Sequence, residues 1–301
     1  MRIPKPGKVQ DHLWYLGRVE SGLYLLMGRD ESIIISGGMT YILPTLIGQF
    51  KELGISKERI TKLIILHAHF DHVGTVSFFK KCNLNLEIYA SPRAWEKLRS
   101  PGAIDTFNNF SRSVTERMEM LRDFSPYDLD WGNGSLCLSV SDGNRIDLGN
   151  LEVNILETPG HSSCSISAYI PQLRILFASD CGGIPYRNTI ISSGNSNFTS
   201  YQESLERLKN LEVEYFCADH YGFVVGEEAG KFIPSAIEAA NEFRTKIENT
   251  YFCKQDISAS AEELVRSFYL ENPAYFLPPP IYEGVYRQMV RHIVKSLENI
   301  N

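Results

Sequence analysis

Three histidines and an aspartate fall within six residues, His67-Ala68-His69-Phe70-Asp71-His72, between the apolar run Leu63-Ile64-Ile65-Leu66 and Val73-Gly74. This run constrains the fold more than any other segment. The apolar residues read as a short strand buried on both faces. The imidazoles and the carboxylate then stand at the C-terminal edge of that strand. Burying several imidazoles together costs desolvation, and direct coordination of a cation offsets it.

The segments on either side predict a sheet backed by helices. Leu13 to Leu16, Gly22 to Met27 and Ile33 to Ile35 are apolar or β-branched runs separated by turn residues, and Ser36-Gly37-Gly38 closes the third. Tyr41 to Leu53 reads as a helix. Phe107, Phe110, Val114, Met118 and Leu121 recur at helical spacing between Pro101-Gly102 and Ser125-Pro126, which predicts an amphipathic helix over about 103–123. It is read either as packing on the core or as an inserted lid. Strands return from Leu136: Leu151 to Ile155 alternates with period two, and Ile166 to Ile170 and Arg174 to Ala178 flank a turn at Pro171-Gln172. Tyr201 to Leu211 reads as a helix and Glu214 to Ala218 as a strand. Beyond Gly226 the chain turns helical. Ser260-Ala261-Glu262-Glu263 has the form of a capping box, and Ile281, Val285, Met289, Ile293 and Leu297 recur every four residues.

Three further residues follow predicted strands and carry metal-ligand chemistry. His161 sits in Thr158-Pro159-Gly160-His161-Ser162, Asp180 in Ser179-Asp180-Cys181-Gly182-Gly183, and His220 in Asp219-His220-Tyr221-Gly222. Five of the seven histidines thus stand at strand ends. His12 and His292 lie outside the pattern and read as structural or surface residues. Cys181 reads as buried filler rather than a ligand.

In motif order, these residues resemble the metallo-β-lactamase-fold superfamily: a Gly37-Gly38 turn, the HxHxDH run, a Gly-His turn, a strand-ending aspartate and a last histidine. The resemblance covers about Leu13 to His220. It implies an α/β fold, a four-layer αββα sandwich, with two metals at one edge. His67, His69 and His161 would hold one metal, Asp71, His72 and His220 the second, and Asp180 would bridge them. Two divalent transition metals, zinc, iron or manganese, suit these ligands. A metal-bridging hydroxide would be the nucleophile, with Asp71 and Asp180 as catalytic proton acceptors.

The resemblance also narrows the chemistry. The β-lactamases carry cysteine at the place of Asp180, and flavodiiron proteins carry glutamate at the place of His69. Length, ligand pattern, Tyr201, Glu203 to Leu208 and Phe276-Leu277-Pro278 are similar to the thioesterase-like, quinolone-signal response branch. Two departures stand out: Ala218-Asp219 precedes His220 where Pro-Gly is common, and Ser163-Cys164-Ser165 follows the Gly-His turn. The expected organisation is a core over residues 1–230, with a helical insertion at about 101–130, and a helical extension over 231–301 that covers the site. The expected function is hydrolysis of a small ester or thioester. Phosphodiester hydrolysis, iron-dependent redox chemistry and a regulatory docking role are the alternatives.

Phe107, Phe110, Phe268, Tyr275, Phe276, Tyr282 and Tyr286 are candidates for lining a pocket for an apolar acyl or aryl group. Tyr221 is a weaker candidate for contact with a substrate oxyanion. The partner is accordingly a small molecule, with a homodimer left open. A formal charge of −6 disfavours nucleic acid. No apolar run reaches the roughly 20 residues of a membrane span. The N-terminus lacks the apolar stretch of a secretory signal. Six cysteines without a CxxC pair read as buried free thiols in a reducing compartment. The expected location is cytoplasmic.

Overall fold

The structure, a computed structural model, describes residues 1–57, 60–123, 129 and 136–298. Two seven-stranded sheets face each other. In the first, Gly7–Gln10, Leu13–Gly17, Gly22–Met27 and Ser32–Ile35 pair antiparallel, and Lys62–Ile65, Glu87–Ala90 and Leu136–Ser139 continue it in parallel. The second runs in the order Arg2–Ile3, Phe223–Val225, Tyr215–Cys217, Ile175–Phe177, Ile166–Ile170, Glu152–Glu157 and Arg145–Asp147. Within it only Ile175–Phe177 and Tyr215–Cys217 pair in parallel.

The alternation of side chains along each strand builds the layers. Ile64 and Leu66 join Leu13, Tyr24, Val153, Ile155, Ile166 and Phe177 in the core between the sheets. Leu63 and Ile65 point the other way, into a core shared with Leu46, Phe50 and Phe79 of the outer helices Leu43–Glu52 and Val76–Cys82. On the second sheet Leu176 and Phe216 face outward with Leu205 of Phe198–Leu208 and Phe232 of Glu227–Lys254. Phe216 stacks on Phe232 at 3.9 Å between ring centroids. The expected αββα sandwich is the observed architecture.

Element boundaries follow capping chemistry that periodicity does not show. The penultimate helix begins one turn before the Ser260 capping box. Asp256 is the N-cap of Ile257–Glu271 and accepts from the Ala259 amide. Ser260 is buried inside that helix and donates to the Asp256 carbonyl. The expected capping box is therefore an internal serine bonded back along its own helix. The predicted insertion helix spans Pro101–Arg117, followed by a single turn at Leu121–Asp123. Its Ser125-Pro126 break, and residues 124–128 and 130 of the insertion, lie outside the described residues. The chain ends in Glu227–Lys254, Ile257–Glu271 and Pro279–Glu298.

All six cysteines are free thiols, but burial is not general. Cys164, Cys181 and Cys217 are buried, Cys82 and Cys137 half-buried, and Cys253 exposed. Cys253 lies near the solvent-facing end of the long helix, beside exposed Phe252. Among the described residues no helix is long and apolar enough to cross a membrane.

Candidate metal centre

The seven residues singled out as candidate ligands converge where the two sheets meet. His67 and His69 follow the strand Lys62–Ile65, with His69 in extended backbone. A tight turn over Phe70–His72, closed by the His72 amide on the His69 carbonyl at 3.1 Å, then brings Asp71 and His72 round. Asp180 stands in a turn over Ser179–Gly182 just beyond Ile175–Phe177. His220 lies beyond Tyr215–Cys217. The parallel pairing of those last two strands puts both residues at the same sheet edge. His161 leaves the strand Glu152–Glu157 through Gly160, whose φ of +127° few side chains tolerate. A Cβ there would lie 2.2 Å from the Tyr201 amide nitrogen.

Three of the eight non-glycine residues with positive φ among the described residues stand at these loops. Ser36, Ser179 and Tyr221, none of them glycine, hold φ values of +72°, +49° and +61°. Ser36 approaches His72, Ser179 precedes Asp180, and Tyr221 follows His220. Such conformations persist only where surrounding structure enforces them.

The ligand atoms form two groups, His67–His69–His161 and Asp71–His72–Asp180–His220, each with its donor atoms within 4.8 Å of one another. In the first, Nε2 of His161 lies 3.2 Å from Nε2 of His67 and 2.9 Å from Nδ1 of His69. In the second, Nε2 of His220 lies 3.2 Å from Nε2 of His72 and 3.4 Å from an Asp71 oxygen. Asp180 sits between the groups, with Oδ2 3.3 Å from Nε2 of His72 and 3.4 Å from Nε2 of His161.

The outer ring nitrogens fix the tautomers. Nδ1 of His161 donates to the Ser193 carbonyl at 2.8 Å, and Nδ1 of His220 to the Glu20 carbonyl at 2.7 Å. Nδ1 of His72 donates to Oδ2 of Asp219 at 2.9 Å. With its proton outside, Nε2 of His161 turns a lone pair toward the facing nitrogens of His67 and His69, and the Nε2 atoms of His72 and His220 do the same to each other when both rings are neutral. Lone pairs facing lone pairs repel unless a cation lies among them, so the donor set fits metal ions.

The electrostatics agree. Burial, then the neighbouring histidines, pushes His67 well below the usual imidazole range, and burial lowers His69 to about 3. Burial lowers His161 too. The trio is therefore neutral and ready to coordinate. Burial also pulls on His72 and His220, but Asp71 and Asp180 outweigh it and raise both. Burial opposes the charge on Asp71, yet the facing His72 and His220 hold its carboxyl down at about 2. The carboxylates of this group thus demand compensating positive charge, as protons on the imidazoles or as a cation.

Sequence reasoning missed Asp219. Its Oδ2 accepts from His72 Nδ1 and also from the Ser179 hydroxyl, which itself lies 3.2 Å from Nδ1 of His67. One buried carboxylate therefore orients a ligand in each group. Its other oxygen is buried without a hydrogen-bond partner. The available signal was the departure at Ala218-Asp219, where an acidic residue replaces the common Pro-Gly.

A cavity of about 300 Å³ opens over the ligands, with His69, Asp71, His161, Asp180 and His220 at its floor. Phe107 and Phe110 of the insertion helix form one wall. Tyr275, Phe276 and Tyr282 of the helical tail form another. Phe276 packs against the His220 ring at 4.9 Å between centroids. The two walls are tied together by Arg117, which donates to the Tyr275 and Pro273 carbonyls, both at 2.9 Å. Two aromatic candidates do not line the cavity: Phe268 packs behind Tyr275 and Tyr282, and Tyr286 lies against Tyr282 and Phe243. Tyr221 also stays out, packed on Tyr186. His12 is an exposed turn residue, and His292 is half-buried on the last helix.

Asn195 was also missed. It lines the cavity and is 8% exposed. Its Oδ1 accepts from the Ser193 hydroxyl at 3.1 Å, and Ser193 holds His161. That bond fixes the amide orientation and leaves Nδ2 as the side chain's donor.

Comparison with known proteins gives a consistent picture. A family model described as the metallo-beta-lactamase superfamily matches residues 17–220. A probable metallo-hydrolase, YqgX of Bacillus subtilis, is 23% identical over 201 residues, covering 63% of this chain and 81% of that protein. A hydroxyacylglutathione hydrolase of Legionella pneumophila is 25% identical over 196 residues, covering 62% of this chain and 59% of that enzyme. The chain thus spans well under two thirds of that hydrolase. The solved structure of a metallo-beta-lactamase family protein from Thermus thermophilus superposes with a TM-score of 0.68 at 17% identity, over 97% of this chain and 95% of that one.

Proposed function

The chain belongs to the metallo-beta-lactamase superfamily, and from that premise we propose that it hydrolyses a small ester or thioester at a pair of divalent transition metals, zinc, iron or manganese. His67, His69 and His161 would hold one ion, and Asp71, His72 and His220 the other, with Asp180 between them. One observation carries the reading: five histidines and two aspartates bring their donor atoms together in two groups, with the outer nitrogens of His72, His161 and His220 already bonded, and five of the seven residues reach the floor of an apolar-walled cavity. When bound, such ions supply an activated water and a Lewis acid at neutral pH.

The chain's own residues supply the rest. The Asp71 carboxylate reaches the cavity and can take the proton of an attacking water at Oδ. Asn195 lines the same cavity, and its Nδ2 can donate to a substrate carbonyl oxygen as charge develops there. Phe107, Phe110, Tyr275, Phe276 and Tyr282 hold an apolar acyl or aryl group and keep bulk water away. The small volume between these aromatic walls favours a small acyl compound over a polynucleotide. The matched hydroxyacylglutathione hydrolase, named for an acyl thioester, supports the same bond type.

The test uses protein reloaded separately with zinc, iron(II) and manganese and offered hydroxyacyl and aryl thioesters beside bis-nitrophenyl phosphate. Thioester turnover by the wild type, absent together with bound metal in a His69→Ala/Asp180→Ala double variant, is the expected result. Full turnover in the double variant, or turnover of the phosphodiester alone, overturns the reading.

A further inference from the structure

We infer that the substrate carries a carboxylate, bound by Lys97 at the side of the cavity, in addition to its apolar body. The inference rests on the hydrolase reading for the bond that breaks, but not for the charge that is recognised.

Lys97 stands on the helix Pro92–Leu98 and lines the cavity beside His69. Among the described lining residues it is the only lysine or arginine. Its ammonium donates to the Ser162 hydroxyl at 3.0 Å, a neutral partner. No carboxylate pairs with it among the described residues, whereas Lys62 pairs with Glu87 at 3.0 Å and Lys8 with Asp11 at 2.8 Å. A half-buried ammonium left with one hydroxyl keeps most of its capacity to bind an anion. The two carboxylates on the cavity floor, Asp71 and Asp180, face the imidazoles. They cannot also neutralise Lys97.

The cavity therefore offers three kinds of contact: an aromatic wall, the Asn195 donor beside the ligand histidines, and one isolated cation. An uncharged ester would leave the cation unmatched and desolvated, which is unfavourable. Chemistry narrows the anion. Phosphate groups are usually met by arginine forks or several donors carrying more than one positive charge. A single lysine backed by a hydroxyl matches the single charge of a carboxylate. With floor carboxylates nearby, an approaching anion also needs the local positive charge to enter.

The experiment compares matched aryl thioesters of acetic acid. The meta- and para-carboxyphenyl thioesters are each set beside the neutral carboxamide of the same shape, using the metal-loaded full chain. The wild type is expected to favour a carboxylate substrate over its carboxamide by about tenfold in kcat/KM, mainly through KM, as a charge-assisted hydrogen bond gives. Lys97→Met should bring the ratio to within about twofold, and Lys97→Arg, which keeps the charge, should restore it. Equal turnover of the pair by the wild type, or a preference that survives in Lys97→Met, overturns the inference. Binding of the corresponding ketones, with a methylene in place of sulfur, is measured by calorimetry in parallel. If no thioester is turned over, the hydrolase reading falls. The carboxylate site still stands if the carboxylate ketone binds about tenfold tighter than the carboxamide ketone to the wild type but not to Lys97→Met, and falls if the two bind alike.

Discussion

Oδ2 of Asp219 accepts the Nδ1 proton of His72 at 2.9 Å and, through the Ser179 hydroxyl, also reaches His67. Replacing the acceptor by Asn removes the charge that makes this nitrogen the protonated one. Asp219→Asn is expected to weaken metal binding about 10- to 100-fold. Competition against a chelator measures it, and an unchanged affinity would show that the carboxylate is only filler.

Asn195 makes a separable prediction because it holds no ligand atom. Asn195→Ala should lower kcat by about 10²-fold, the usual loss for one transition-state donor, with metal content intact and KM little altered. A variant that loses metal instead would place Asn195 in support of His161 through Ser193.

Gly160 must adopt a backbone with φ of +127° while the Tyr201 amide nitrogen crowds the space of a Cβ. Gly160→Ala is expected to cost about 1–3 kcal/mol in stability, read by urea melts. The same change displaces His161, so metal lost from the trio should accompany the lower stability. A variant of wild-type stability and metal content would mean that the turn relaxes freely.

In chelated protein, pH should act through His69. Its folded pKa is depressed to about 3 from 6.5, so between those values the unfolded chain binds the extra proton. Stability from this neutral imidazole is present above pH 6.5 and is lost as pH falls toward 3. His69→Gln lacks the group. The stability of the wild type relative to His69→Gln should therefore fall on acidification, measured by denaturant melts at several pH values. A relative stability that rises toward acid would contradict the burial of His69 in its neutral form.

The candidate ligands were legible because polar residues break the pattern at or just beyond apolar runs, and such breaks survive in one dimension. His67, His161, Asp180 and His220 announce themselves in this way. Asp219 and Asn195 do not. Their roles depend on what lies across the fold: Asp219 meets His72 from 147 positions away. Lys97 looks like any helix-surface lysine until Ser162 is placed beside it. Layer order was legible from strand periodicity, since both-sided burial gives continuous apolar runs. The start of the helix at Ile257 was not, because Asp256 and Ser260 are both plausible caps in sequence. Only the backbone shows which side chain accepts the amide.

Neither sheet holds a complete ligand group. His67, His69, Asp71 and His72 extend from a strand of the first sheet, and His161, Asp180 and His220 leave strands of the second. An ion seated here would clasp the two halves of the sandwich along one seam. A partly assembled chain could offer at most half a socket, so tight loading would act as a checkpoint on completed folding. Stripping the ion should then loosen the seam before either sheet frays, opening the molecule along the line where its chemistry is done.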